Sequence, residues 1–141
     1  MIRKVEQRAQ QIVSGFKSPA DDYLEGRLNI SEMLVVDAHA TFYFRMAGTS
    51  MSSYGIFKDA ILIVDRSLKP VNEAVVIAPV GGELMCRCYI KNGSSATLIS
   101  DRGTEELHGQ PLEVWGVVLA VCHGLLPKGL KKGRYANVCA V

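Results

Sequence analysis

The stretch "ELMCRCYIK", residues 83–91, decides how this chain is read. Successive side chains of a strand point to opposite faces. One face therefore receives Leu84, Cys86, Cys88 and Ile90, and the other Met85, Arg87, Tyr89 and Lys91. The first set has the character of a core. The second carries two cations and a tyrosine, so it opens either to solvent or to a site. Further short apolar runs lie on both sides: TFYFRM (41–46), AILIVD (60–65), EAVVIAPV (73–80), ATLIS (96–100) and LEVWGVVLAV (112–121). They are rich in β-branched and aromatic residues, and Gly, Asn, Ser or Pro separates most of them. Strands this frequent, with one short helix ahead, predict a mostly β, antiparallel domain.

The helix ahead is read from Ser18-Pro19-Ala20-Asp21-Asp22. Ser18 suits the N-cap, Pro19 the first helical position, and the two acids the positive end of the helix dipole. Tyr23, Leu24, Leu28 and Ile30 follow as the expected buried stripe. Further upstream, Ile2, Val5, Ala9, Ile12 and Val13 stand near helical spacing, as in an amphipathic helix ended at Gly15 or an arm lying on a partner. Between them, Ser14 to Pro19 reads as accessible chain punctuated by glycine and proline. Past the last strand, residues 124–141 carry Lys128, Lys131, Lys132 and Arg134 among glycines, which reads as a mobile basic tail. The expected organisation is an arm (1–17), a β domain (18–123) and that tail.

With 141 residues, 48% of them hydrophobic, the chain can build one core and is too short for two comfortable ones. Sixteen Lys and Arg against fourteen Asp and Glu leave a net charge of +2, too balanced to argue for nucleic-acid binding. Arg3, Lys4, Glu6 and Arg8 interrupt any apolar run of signal-peptide length. No stretch approaches the roughly 18 apolar residues that span a bilayer. The expectation is a cytoplasmic protein with no membrane partner. Cys86, Cys88, Cys122 and Cys139 lack the spacing of a zinc site, so they are read as reduced apolar side chains with no metal bound.

The chemistry concentrates in "MAGTSMSSYG", residues 46–55, where Thr49, Ser50, Ser52 and Ser53 lie between two glycines. Alone, such a stretch is a polar turn. Taken in order with "SGFKSPADDYLEGRLNISEML", "GIFKDAILIVDRSL", "GELMCRCYIK" and "LEVWGVVLAV", it resembles the LexA/UmuD family of self-cleaving serine peptidases over residues 14 to 121. "SPADDYLEGRLN" brings it nearer the UmuD-like members, which are accessory subunits of the error-prone DNA polymerase V. The resemblance implies a partly barrel-like domain of twisted antiparallel sheets with a short N-terminal arm. It also implies a homodimer that engages a translesion polymerase catalytic subunit and RecA filaments on single-stranded DNA. No cofactor or small-molecule ligand is expected.

In that family a serine attacks a peptide bond of the chain's own arm, and a neutral lysine takes its proton. The resemblance places Ser50 at the nucleophile, Ser14-Gly15 at the bond cut, and Arg87 at the lysine. A serine hydroxyl attacks poorly without a nearby proton acceptor. Lysine accepts a proton only when a desolvated site holds it neutral. A guanidinium stays protonated throughout the working pH range, so Arg87 is no base, although it can donate to the serine oxygen or to an oxyanion. Lys91 shares the strand face but lies four residues, about 13 Å, along it. Lys58, Lys69, His39 and His108 are the other candidate bases.

Three functions follow from these residues. The first is a UmuD-like SOS mutagenesis protein whose self-cleavage is lost or impaired by Arg87. The second is an active self-cleaving peptidase using another base. The third is a dimerisation module of a phage or plasmid repressor-type regulator, which the small number of residues ahead of residue 18 disfavours.

Overall fold

The computed structural model describes residues 28–125 and 138–141. The chain divides into two compact units, residues 1–33 and 34–141. Of the first, only Leu28–Met33 is described. Asn29 starts a short helix, α1 (Ile30–Leu34), by accepting a hydrogen bond on its side-chain oxygen from the Glu32 amide at 3.2 Å. Its side-chain Nδ2 also donates to the Glu32 carboxylate at 3.4 Å, so the two side chains bond each other across the first turn. The expected stripe is not buried at its described end. Leu28 and Ile30 are exposed, because α1 is barely more than one turn and none of its residues is buried. Tyr23, Leu24 and the Ser18 cap lie outside the described residues, as does the upstream amphipathic segment.

The second unit is one eight-stranded sheet. Its strands are β1 (Thr41–Arg45), β2 (Ile61–Asp65), β3 (Ala74–Val80), β4 (Glu83–Asn92), β5 (Ser95–Ser100), β6 (Gly103–Thr104), β7 (Gly116–Cys122) and β8 (Cys139–Ala140). They lie in the order β6-β5-β4-β3-β7-β2-β1-β8, and the sheet does not close on itself. Every pairing is antiparallel except β1 with β8, which run parallel through Phe44–Cys139 and Arg45–Ala140. The sheet is therefore mixed at that edge and mostly antiparallel, as expected. Six strands match the apolar runs of the sequence, and β7 starts at Gly116, later than its run. Pairing with β3 begins there, where the Trp115 amide donates to the Ile77 carbonyl at 2.7 Å.

Period-two alternation lets β3 and β4 feed two apolar clusters. Ile77, Cys86 and Cys88 join Phe44, Met46, Met51, Ile56, Ala60, Leu62 and Val64 in the larger one. Val76, Ala78 and Val80 form the smaller one with Leu98, covered by Met85, Tyr89 and the 107–114 loop through Leu107, Leu112 and Val114. Leu84 and Ile90 pack on the first cluster, as the alternation of β4 requires. The opposite face of β4 is not open to solvent in its middle. Arg87 is only 9% exposed.

Candidate functional site

The serine-rich turn connects β1 to a single 3-10 turn, Ser52–Tyr54. Met51 anchors it from below, fully buried, and its carbonyl accepts from the amides of Tyr54 and Ile56 at 3.0 and 3.2 Å. Gly55 ends the turn in the left-handed region (φ 81°), a backbone conformation that favours glycine. Thr49 closes the turn from the other end, its carbonyl accepting from the Ser52 hydroxyl at 2.8 Å. Asp101, just past β5, clasps the outer rim. Its amide donates to the Ser50 carbonyl at 2.8 Å, and its carboxylate accepts from the Ser53 amide at 3.0 Å and from the Ser53 hydroxyl. The Ser53 bonds hold the Asp101 carboxyl below the usual aspartate range.

The clamp fixes where Ser50 Oγ stands, and what faces it is Arg87. Arg87 Nη1 donates to Ser50 Oγ at 3.2 Å. The same nitrogen donates to the Cys86 carbonyl at 2.7 Å, and Nη2 lies 3.2 Å from the Met85 sulfur. Nε donates to the Glu105 carboxylate in an ion pair whose side chains are 10% and 20% exposed. Four of the five guanidinium N–H groups thus have partners inside the protein. The sequence placed Ser50 and Arg87 37 residues apart, and the structure brings them into hydrogen-bond contact.

Ser50 and Arg87 line a cleft of about 610 Å³. Gly48, Thr49, Glu83, Met85 and Arg102 contribute further walls, and Cys139, Ala140 and Val141 close one side. That side belongs to the segment the sequence reads as a basic tail. Val141 donates its amide to the Arg45 carbonyl and accepts from the Ala47 amide, both at 2.9 Å, which seats residues 139–141 against the strand leading into the serine turn. Residues 126–137 of the segment, and both Ser14 and Gly15 of the expected cleavage site, lie outside the described residues.

None of the candidate bases lines this cleft: Lys58, Lys69, Lys91, His39 and His108 are absent from its described walls. Lys91 pairs with Ala96 at the far end of β4, where it is exposed. The arrangement can therefore orient the Ser50 oxygen and stabilise negative charge on it, but among the described residues it offers no lysine or histidine to remove the proton. Cys86 supplies no alternative nucleophile. Burial pushes its thiol up to about 12, although the neighbouring Arg87 charge acts the other way. Cys88 is likewise raised, first by burial.

Sequence reasoning did not single out Asp101, Glu105 or β8. A buried arginine calls for a counter-ion, but Asp101, Glu105 and Glu106 are close together in sequence, and only the pairing of β5 with β6 selects Glu105.

The Peptidase S24-like family pattern matches residues 7–119. Protein SamA of Salmonella typhimurium is 32% identical over 110 residues, covering 78% of this chain and 79% of the relative. Protein ImpA of Escherichia coli is 32% identical over 117 residues, covering 82% and 81%. Protein MucA of Escherichia coli is 30% identical over 113 residues, covering 77% of each. No helix among the described residues is long and apolar enough to cross a membrane.

Proposed function

The chain belongs to the Peptidase S24-like family, and from that premise we propose that it is a UmuD-like SOS mutagenesis protein whose self-cleavage is lost or impaired. In this reading Ser50 holds the nucleophile position and Arg87 the position of the general-base lysine. The protein acts as a homodimeric accessory subunit of a translesion DNA polymerase, regulated through its arm and through RecA filaments on single-stranded DNA. The similarity to SamA, ImpA and MucA supports the UmuD-like assignment. The observation that carries the loss of cleavage is the 3.2 Å bond from Arg87 Nη1 to Ser50 Oγ.

The chemistry follows from the direction of that bond. A base must accept the serine proton, whereas Arg87 donates one of its own. Its charge would stabilise an alkoxide once formed, but no lysine or histidine among the described walls of the cleft takes the proton. Glu105 is no substitute, because its carboxylate is occupied by the Arg87 Nε.

Binding tests this function independently of cleavage. Purified full-length protein is titrated into the catalytic subunit of DNA polymerase V, and complex formation is followed by light scattering. The expected result is a complex containing two accessory chains, with Ser50→Ala binding equally well. Failure of the full-length chain to bind would contradict the accessory role, and binding lost in Ser50→Ala would contradict an inert serine.

A further inference from the structure

Arg87 is not the only group that sets the charge at this site. The Glu105 amide donates to the Leu98 carbonyl at 2.8 Å, so the backbone that carries the carboxylate is tied to β5 whatever stands at position 87. The ion pair is mostly sequestered, with side-chain exposures of 10% and 20%. An opposite charge this close favours the charged form of a cation. A lysine at position 87 would end where the arginine has Cζ, one bond beyond the Nε that touches Glu105. Its amine would lie within about 4 Å of the carboxylate, well inside the range of strong pairing.

Resting on the reading that Ser50 holds the nucleophile position, we propose that Glu105 is a positioning residue and a second lock on that position. It aims the guanidinium at Ser50, and it would keep an amine at position 87 protonated and unable to serve as base. The loss of serine reactivity is therefore built into two residues, 87 and 105, and reversing the first leaves the second in force.

The test is the pH profile of Ser50 towards a fluorophosphonate, read by intact mass in the full-length protein, so that docking of the arm is not needed. In the reaction the Ser50 oxygen bonds to phosphorus, the P–F bond breaks, fluoride leaves, and the hydroxyl proton passes to the amine at position 87. Wild type, Glu105→Gln, Arg87→Lys and the double variant Arg87→Lys/Glu105→Gln are compared, with Ser50→Ala as the control for the site of labelling. The glutamine retains size and hydrogen bonding, and melting curves confirm that each variant is folded. Wild type and Glu105→Gln are expected to stay unlabelled. The double variant should react with a midpoint at least about one pH unit below that of Arg87→Lys, and about tenfold faster than it below that midpoint. Identical profiles for the two lysine variants would overturn the role of Glu105, as would a double variant that stays inert at every pH. Rapid labelling of wild type at neutral pH would instead overturn the underlying reading, because a site already armed has no lock.

Discussion

Ser50 Oγ accepts a hydrogen bond from Arg87 Nη1 at 3.2 Å, and Arg87 is in turn held by Glu105. The guanidinium is thus the middle member of a chain running from a carboxylate to a hydroxyl. Each link is a donation from Arg87, which orients the serine oxygen without relieving it of its proton.

Breaking this chain from one side leaves a charge stranded in a mostly buried slot. Arg87→Met should cost about 3 kcal/mol in urea unfolding, and Glu105→Gln about 1–2, since one partner of a sequestered pair loses its compensation. The double variant should be more stable than the two single losses combined suggest. Strict additivity across that cycle would show the pair to be energetically idle.

Acid should loosen the serine turn through Asp101. Its bonds from Ser53 lower the folded-state carboxyl below the unfolded value. Such a group stabilises the fold above the unfolded pKa, near 4, and that contribution fades as pH falls towards the lower folded value. Asp101→Asn should therefore melt earlier than wild type at pH 7, with the gap closing as pH approaches 3. A gap that is constant from pH 7 to pH 3 would rule out this linkage.

Thiol labelling separates the buried face of β4 from the rest. Cys86 and Cys88 are buried, while Cys122 and Cys139 are exposed. Iodoacetamide at pH 8 should add two groups to the folded protein and four after denaturation, because only the exposed thiols are accessible to the reagent. Prompt modification of Cys86 in the native state would contradict the packing of β4 against the larger cluster.

Gly116 opens β7, paired with Ile77 of β3, and its Cα faces Val64 and Asp65 of β2. A Cβ there would stand 2.6 Å from Val64 Cγ1 and 3.4 Å from the Asp65 carbonyl. Gly116→Ala should lower stability by about 1–3 kcal/mol, through overpacking against a fully buried valine. Calorimetry that finds the variant as stable as wild type would argue against this contact.

These contacts show which parts of the molecule the sequence made legible. Alternation in residues 83–91 told Leu84, Cys86, Cys88 and Ile90 apart from their neighbours because a strand's period is fixed by its backbone. The same pattern could not tell that Arg87 is buried, since the partners that meet its guanidinium, Ser50 and Glu105, come from distant parts of the chain. Ser50 and Arg87 were found as a pair only through the resemblance, which spans segments far apart in the chain. Cys139–Ala140 showed no strand signal at all. Two residues carry no periodicity, and their pairing is decided by the open edge of β1.

The central claim is tested most directly by the mass of the full-length protein itself. It is incubated with RecA, single-stranded DNA and a nucleoside triphosphate, at neutral pH and at about pH 10, where an ordinary lysine amine approaches neutrality. The account predicts a single unchanged mass under both conditions, identical for wild type and Ser50→Ala. A fragment beginning at Gly15 that forms in wild type and is absent in Ser50→Ala would show that Ser50 has found a proton acceptor after all.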